Sequence, residues 1–154
     1  MRPAVTDSTA TRPSVRVLFV LIAILALAGV MVSTVSLQRH YAKSDTAFCD
    51  FNKKFSCDVV NRSEQSSIIG IPVAGIGVAG YVFLFVLATF WRSRIDTPNR
   101  LLGAAFGGLA FAFYLTYVEA YVLETWCILC LSSLALILLI SALATIVKLR
   151  DARA

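Results

Sequence analysis

The sequence predicts an all-α integral membrane protein, a four-helix bundle with both termini in the cytoplasm and a long outer loop between the first and second helices. Hydrophobic residues make up 58% of the 154 residues, and the mean hydropathy is +0.79. Charged residues make up 15%, whereas soluble domains carry about a quarter. Four apolar runs are each close to the roughly 20 residues that cross a bilayer. They leave no room for a separate soluble domain, so we expect a single domain.

The first apolar run is Val17–Leu37, and it follows a basic segment, residues 1–16, that forms the first predicted tail. A basic start followed by Ala26-Leu27-Ala28 also resembles a cleavable signal peptide. The apolar run continues through Leu37, well beyond Ala28, which favours an uncleaved membrane span.

The rest of the chain alternates between polar connections and apolar runs, with no internal repeat. In chain order these are the polar stretch 38–70, the second run Ile71–Trp91, the turn 92–100, the third run Leu101–Leu123, a fourth run from about Cys127 to Val147, and a tail, 148–154. Pro72 falls in the first turn of the second predicted helix, where proline is tolerated. The four-helix domain is therefore expected over residues 17–147.

Basic residues set the expected orientation, because short cytoplasmic segments of membrane proteins are rich in Lys and Arg. With four spans, both tails and the turn 92–100 lie on one side, and they hold Arg2, Arg12, Arg16, Arg92, Arg94, Arg100, Lys148, Arg150 and Arg153. The polar stretch 38–70 is nearly neutral because acidic residues balance its basic ones. We therefore expect the tails in the cytoplasm. The net charge of +5 is scattered at the ends of apolar runs, so nucleic-acid binding is not indicated.

All four cysteines fall on the opposite, extracytoplasmic side in this topology. Cys49 and Cys57 lie in the outer loop, and Cys127 and Cys130 lie at the outer end of the fourth run. That compartment is oxidising, so redox chemistry or disulfides are expected there.

Cys127 and Cys130 form a C-x-x-C motif at a predicted helix start. This spacing places the two sulfurs about one turn apart, and the helix N-terminus favours a thiolate at Cys130. The apolar neighbours Ile128, Leu129 and Leu131 indicate a position at the lipid boundary, within reach of a hydrophobic electron acceptor.

Cys49 and Cys57 form a C-x7-C pair in water-compatible surroundings, where a soluble protein can reach them. Together the two pairs predict an electron relay from an outer thiol to a lipid-soluble carrier. One alternative is a non-enzymatic four-helix membrane protein whose outer loops carry structural disulfides. Another is a four-cysteine zinc site, which the long separation of the pairs disfavours, so no metal is expected.

Other residues of the outer half are weaker candidates. Glu119, near the outer end of the third run, is a functional candidate because carboxylates in membranes are costly, although snorkelling to the interface also explains it. Tyr117 belongs to an aromatic belt or to the wall of a quinone site. Gly103 and Gly107 form G-x-x-x-G, which predicts close helix packing within the bundle.

These residues resemble the vitamin K epoxide reductase family. The segment CDFNKKFSC, from Cys49 to Cys57, has the family's loop spacing, and Ser63 falls at the position of the family's loop serine. The segment GIP leading into a span with Tyr81 resembles the second helix of bacterial members, and CILC opens the fourth helix. DsbB-type proteins carry their two pairs in the reverse order.

The resemblance implies a thiol oxidoreductase with a quinone, ubiquinone or menaquinone, as electron acceptor. Cys130 would face the quinone, Cys127 would exchange with Cys57, and Cys49 would exchange with the protein partner. Ser63 would order the loop. Tyr81, Leu134, Tyr117 and Glu119 are the expected quinone contacts.

The resemblance also implies a partner and a location. The partner would be a separate thioredoxin-like, DsbA-like protein, secreted or membrane-anchored, since no such domain follows the fourth run. The expected location is the cell inner membrane, as a multi-pass protein with its cysteines outside the cytoplasm. Leu134 and Val73 stand where some members have a quinone-contacting tyrosine and an asparagine, which favours a plain quinone over an epoxide.

Overall fold

The computed structural model describes residues 13–41 and 54–153, so Cys49 lies outside the described residues. Five α-helices are α1 (Pro13–Tyr41), α2 (Cys57–Arg62), α3 (Val73–Thr89), α4 (Thr97–Val118) and α5 (Ile128–Ala152). The shorter elements are a 3-10 turn (Glu64–Ser66), strands β1 (Ser67–Ile68) and β2 (Ile71–Pro72), and a π-helical turn (Glu119–Leu123) that continues α4.

Three helices are long and apolar enough to cross a membrane: α1, α4 with its π-helical extension, and α5. The fourth, α3, is apolar but has 17 residues, which rise about 26 Å against a hydrocarbon core of about 30 Å. It is shorter than the predicted run Ile71–Trp91 because Ile71 and Pro72 pair in β2 and because the helix ends at Thr89. The predicted helical membrane protein is confirmed at this level.

The long helices close into a bundle in which α1 and α4 each pack against both α3 and α5. The buried core fills one half of this bundle. It is built from the first half of α1, the last half of α3, the first half of α4 and the last half of α5, with Ile22, Leu87, Leu101 and Ile140 among its fully buried side chains. The opposite half is less tightly packed and contains the site described below.

Glycine allows close helix packing at a different place from the one predicted. A Cβ atom at Gly103 or Gly107 would meet nothing within 4 Å, so the predicted packing role of this G-x-x-x-G pair is wrong. Instead, Gly29 of α1 lies against the aromatic ring of Tyr81 in α3, and a Cβ atom there would overlap the ring. A bulky ring and a glycine thus fit together at the α1–α3 contact.

The polar stretch 38–70, predicted as a loop, contains ordered structure where it is described. It includes the end of α1, all of α2, the 3-10 turn and a hairpin in which Ile68 pairs with Ile71. The two residues between them, Ile69 and Gly70, both have positive φ angles, 54° and 79°, as a type I′ turn requires. The hairpin delivers the chain to the start of α3.

Candidate functional site

Three cysteine side chains meet at the end of the bundle opposite the packed core. Cys57 is the first residue of α2, Cys127 immediately precedes α5, and Cys130 lies in the first turn of α5. Cys57 and Cys127 are fully buried and pack with Val60, and Cys130 is partly exposed beside them. The Cys127 thiol hydrogen-bonds with both Cys57 and Cys130. We call Cys57, Cys127 and Cys130 the thiol cluster.

A short backbone contact aligns the two segments that carry these cysteines. Phe55 and Trp126 form a parallel β-bridge, and the Trp126 N–H donates to the Lys54 carbonyl at 2.8 Å. Ser56 then caps α2 by accepting a hydrogen bond from the Val59 N–H at 3.4 Å. Cys57 follows the bridge by two residues and Cys127 by one, so the bridge places the two thiols side by side.

The end of α4 brings a carboxyl group to the same place. The helix widens into a π-helical turn that begins at Glu119, and the chain reverses at Glu124, which has a left-handed φ of 48°. This reversal returns the backbone so that the Cys127 N–H donates to Glu119 Oε2 at 3.2 Å. Single π-helical turns of this kind are frequent at functional sites.

Glu119 is buried, with 2% of its surface exposed, so it does not snorkel to the interface. The Cys130 thiol lies beside its carboxyl group, while Oε1 has no hydrogen-bond partner among residues 13–41 and 54–153. A buried polar atom without a partner calls for a physical reason, such as a ligand or a water.

The environment favours the protonated form of the middle cysteine. The hydrogen bond with the Cys130 thiol raises the pKa of Cys127 well above its ordinary value, burial raises it further, and the contact with Cys57 partly offsets both. Cys127 is therefore a neutral thiol at physiological pH, and it needs a proton acceptor before it can act as a nucleophile.

A cavity of about 480 Å³ opens beside the thiol cluster, between the helices of the loosely packed half. This volume is in the range of small-molecule binding sites. Cys130 and Glu119 line the cavity, whereas the fully buried Cys57 and Cys127 do not. Most other lining side chains, from α3, α4 and α5, are apolar. Of the described cysteines, Cys130 alone faces the space that a ligand would fill.

The predicted quinone contacts divide into two groups. Tyr81 and Glu119 line the cavity, whereas Leu134 and Tyr117 do not. Tyr81 is 5% exposed, and its hydroxyl donates to the Ser133 carbonyl at 2.8 Å, which ties α3 to α5. Tyr117 is 59% exposed and its ring lies against another tyrosine of the same helical segment.

Ser63 also borders the cavity. Its side-chain hydroxyl donates to the Val60 carbonyl at 2.8 Å at the end of α2, and its own carbonyl accepts from the Ser66 hydroxyl at 2.6 Å. Ser63 thus joins α2 to the 3-10 turn, and its role in ordering the loop stays a prediction.

The structure adds three polar residues that sequence reasoning did not assign to the site. Ser36 and His40, one turn apart on α1, both contact Asn61 of α2. The Ser36 hydroxyl donates to Asn61 Oδ1 at 2.7 Å, and His40 Nδ1 hydrogen-bonds with the Asn61 carbonyl. All three line the cavity. No local motif marks this contact, because its partners are 25 and 21 residues apart.

A metal site is not formed by the described part of the chain, where no group of three or more His, Cys, Asp or Glu side chains is arranged to hold an ion.

Comparison with known protein families gives a match over most of the chain. The model of the vitamin K epoxide reductase family matches residues 20–145. The matched region contains all four cysteines, the residues that line the cavity, all of α3 and α4, α1 from residue 20 onwards and α5 up to residue 145.

Proposed function

The chain belongs to the vitamin K epoxide reductase family, a family of membrane thiol and quinone oxidoreductases, and from this premise we propose its electron path. Electrons enter from a thioredoxin-like protein at Cys49 and Cys57, continue to Cys127 and Cys130, and leave to a quinone. The net result is a disulfide in the partner and a quinol in the membrane.

The observation that carries this proposal is the order of the thiol cluster. Cys127 contacts both Cys57 and Cys130, and Cys130 alone of the three lines the cavity. A sequence of thiol–disulfide exchanges needs its sulfurs in this order, from the protein donor to the small-molecule acceptor.

Each step balances in electrons and protons. The partner's dithiol reduces a Cys49–Cys57 disulfide, and Cys57 then attacks Cys127 in a Cys127–Cys130 disulfide and releases the Cys130 thiol. Attack by Cys49 on Cys57 restores the outer disulfide and leaves Cys127 and Cys130 as a dithiol. Oxidation of that dithiol to a disulfide transfers two electrons and two protons to the quinone.

The cavity is the proposed quinone site. Its size fits a quinone ring, its walls are largely apolar, and Cys130, Glu119 and Tyr81 line it. Ubiquinone and menaquinone both satisfy these requirements. Leu134 and Tyr117 lie outside the cavity lining, so in this proposal they contact at most the peripheral part of a longer ligand.

The proposed setting is the cell inner membrane, with both termini in the cytoplasm and the cysteines outside it. The distribution of Lys and Arg supports this orientation. The proposed protein partner is a separate DsbA-like protein, secreted or anchored to the membrane. Generation of disulfides in such a partner requires the oxidising side of the membrane.

The first test measures quinol formation by the purified protein in detergent with a small dithiol and a short-tailed quinone. We expect turnover in the wild type and background rates for Cys130→Ser, because this change removes the sulfur that faces the cavity. If neither protein turns over while both are folded and their thiols can be titrated, the alternative of structural disulfides replaces the proposal.

A second test separates the two cysteine pairs. Cys49→Ser is expected to keep most of the quinone reduction driven by a small dithiol, which can reduce the inner pair directly, but to lose the reduction driven by a thioredoxin-like protein. The comparison uses both donors with the same membrane protein. Equal activities of Cys49→Ser and Cys130→Ser with the small dithiol would contradict this division of roles.

A further inference from the structure

The electron path proposed above assigns no function to Asn61, a polar residue of the cavity. Asn61 is 6% exposed and lines the cavity. Its side-chain nitrogen, Nδ2, has no hydrogen-bond partner among the described residues. An amide N–H that is buried without an acceptor is costly, and a ligand acceptor would remove that cost.

Two contacts hold Asn61 in place. The Ser36 hydroxyl donates to Oδ1 at 2.7 Å, so Nδ2 lies at the end of the amide that Ser36 does not contact. His40 Nδ1 hydrogen-bonds with the backbone carbonyl of Asn61, and the neighbouring Val60 packs against the thiol cluster. The Nδ2 donor is thus held in place on a helix that begins at Cys57.

Three other residues that line the cavity are less suited to donate to a ligand carbonyl. The Tyr81 hydroxyl already donates to the Ser133 carbonyl. Glu119 Oε1, the second buried polar atom without a partner in the described residues, accepts rather than donates when ionised. Val73, which also lines the cavity, has no polar side-chain atom.

A quinone presents carbonyl oxygens on an otherwise apolar ring, so a buried N–H donor without an acceptor among the described residues, in a cavity with largely apolar walls, is suited to orient it. We propose that Asn61 Nδ2 donates the hydrogen bond that recognises a carbonyl oxygen of the quinone. This inference rests on the proposed function, and it assigns to Asn61 the positioning of the acceptor next to Cys130.

Direct binding tests the inference without turnover. A naphthoquinone with a short isoprenoid tail is titrated into purified protein in detergent, and quenching of tryptophan fluorescence gives Kd. Asn61→Ala is expected to weaken binding by about fivefold to tenfold, the effect of one lost hydrogen bond. Ser141→Ala, the matched control, removes a buried side-chain hydrogen bond in the packed half of the bundle, at a residue that does not line the cavity, and is expected to change Kd by less than about twofold.

The ligand provides a second control. A naphthalene hydrocarbon with the same tail fills the same volume but has no carbonyl, so Asn61→Ala is expected to leave its Kd unchanged. An equal loss of affinity for quinone and hydrocarbon would overturn the inference, because it would indicate a general loss of the cavity.

A further variant separates donation from a structural role. Asn61→Asp keeps an oxygen for the Ser36 hydroxyl but has no N–H, so it is expected to lose at least as much quinone affinity as Asn61→Ala. Normal affinity in Asn61→Asp would overturn the inference and leave the proposed function intact. If the wild type neither binds nor reduces the quinone, the proposed function itself fails, and this inference with it.

Discussion

Glu119 shows how one buried side chain can connect two parts of the site. Its carboxyl group accepts from the Cys127 N–H at 3.2 Å, lies beside the Cys130 thiol and faces the cavity. It thus joins the last turn before α5 to the π-helical end of α4.

We expect Glu119→Ala to lower the free energy of unfolding by about 1–3 kcal/mol, because the buried Cys127 N–H would lose its acceptor. Glu119→Gln, which keeps a carbonyl oxygen at the same place, should cost less. Denaturant unfolding in detergent measures both values. Equal losses for the two variants would show that the hydrogen bond to Cys127 contributes little.

The Cys127 thiol gives a residue-scale prediction about pH. Since the hydrogen bond with Cys130 is the largest cause of its raised pKa, Cys130→Ala should lower that pKa. Alkylation of Cys127 in the fully reduced protein should then rise at a lower pH than in the wild type. Mass spectrometry of the cysteine peptides follows the reaction at this one residue.

Cys57→Ala is the control of opposite sign. The contact with Cys57 lowers the pKa of Cys127, so its removal should move the alkylation of Cys127 to higher pH. A shift in the same direction for both variants would indicate a change of access to the thiol rather than a change of its pKa.

At the residue scale, sequence reasoning identified the cysteines and Glu119 but not Asn61 and Ser36. Spacing within a short segment marks Cys127 and Cys130, and both are in the thiol cluster with Cys57. No short sequence pattern identifies Asn61 and Ser36, because their contact depends on how α2 folds back onto α1. Cys49 lies outside the described residues, so its predicted role stays a prediction.

At the element scale, the hairpin before α3 carries a residue that its backbone disfavours. Ile69 is 97% exposed and has a φ of 54°, a left-handed conformation that is unfavourable for β-branched side chains. Asparagine adopts this conformation more easily, and it is preferred in type I′ turns that end in glycine.

We therefore expect Ile69→Asn to stabilise the protein by about 1 kcal/mol, measured by thermal unfolding in detergent. Ile71→Asn is the matched control, because Ile71 is also exposed but lies in β2. The control should have no stabilising effect. Stabilisation by both changes would point to the loss of an exposed apolar side chain instead of relief of the turn.

The long helices were predicted in the right order, although their ends differ from the predicted runs by up to five residues, and the helix and hairpin of the polar stretch were not predicted. Hydropathy identifies long apolar runs without regard to their contacts. The helix α2 has only six residues and lacks the repeated apolar pattern that reveals a helix in a sequence. It is stabilised by its Ser56 cap and by burial of Cys57 and Val60, which depend on the tertiary structure.

At the scale of the whole molecule, the bundle is packed in one half and hollow in the other. Gly29 and Tyr81 make the close α1–α3 contact near the boundary between the halves, and the Tyr81 hydroxyl extends this contact to Ser133 of α5. Tyr81 belongs to the core cluster and also lines the cavity, so it is shared by both halves.

Gly29→Ala should destabilise the bundle by about 1–3 kcal/mol, the usual cost of overpacking, because the new methyl group overlaps the Tyr81 ring. Gly103→Ala is the control, since nothing lies within 4 Å of a Cβ atom there, and alanine should gain about 0.5–1 kcal/mol over glycine in a helix. Thermal unfolding in detergent compares them. Similar effects of the two changes would contradict the close contact at Gly29.

The division of the bundle into a packed half and a half with a cavity could not be predicted from the sequence. Side chains facing lipid and side chains facing the core are equally apolar in a membrane protein, so hydropathy predicts the helices but not which of their faces pack. The G-x-x-x-G pair was misassigned for this reason. Only the contacts between helices show that Gly29, outside any G-x-x-x-G pair, makes the closest approach among the glycines of the described residues.

The bridge between Phe55 and Trp126 has a consequence for how this sequence can evolve. Its hydrogen bond joins main-chain atoms, the Trp126 N–H and the Lys54 carbonyl, so no particular side chain is needed to form it. Substitutions at Phe55 and Trp126 can therefore accumulate during evolution while the bridge continues to place Cys57 next to Cys127. Proline at position 126, which has no N–H, would remove this hydrogen bond in a single substitution.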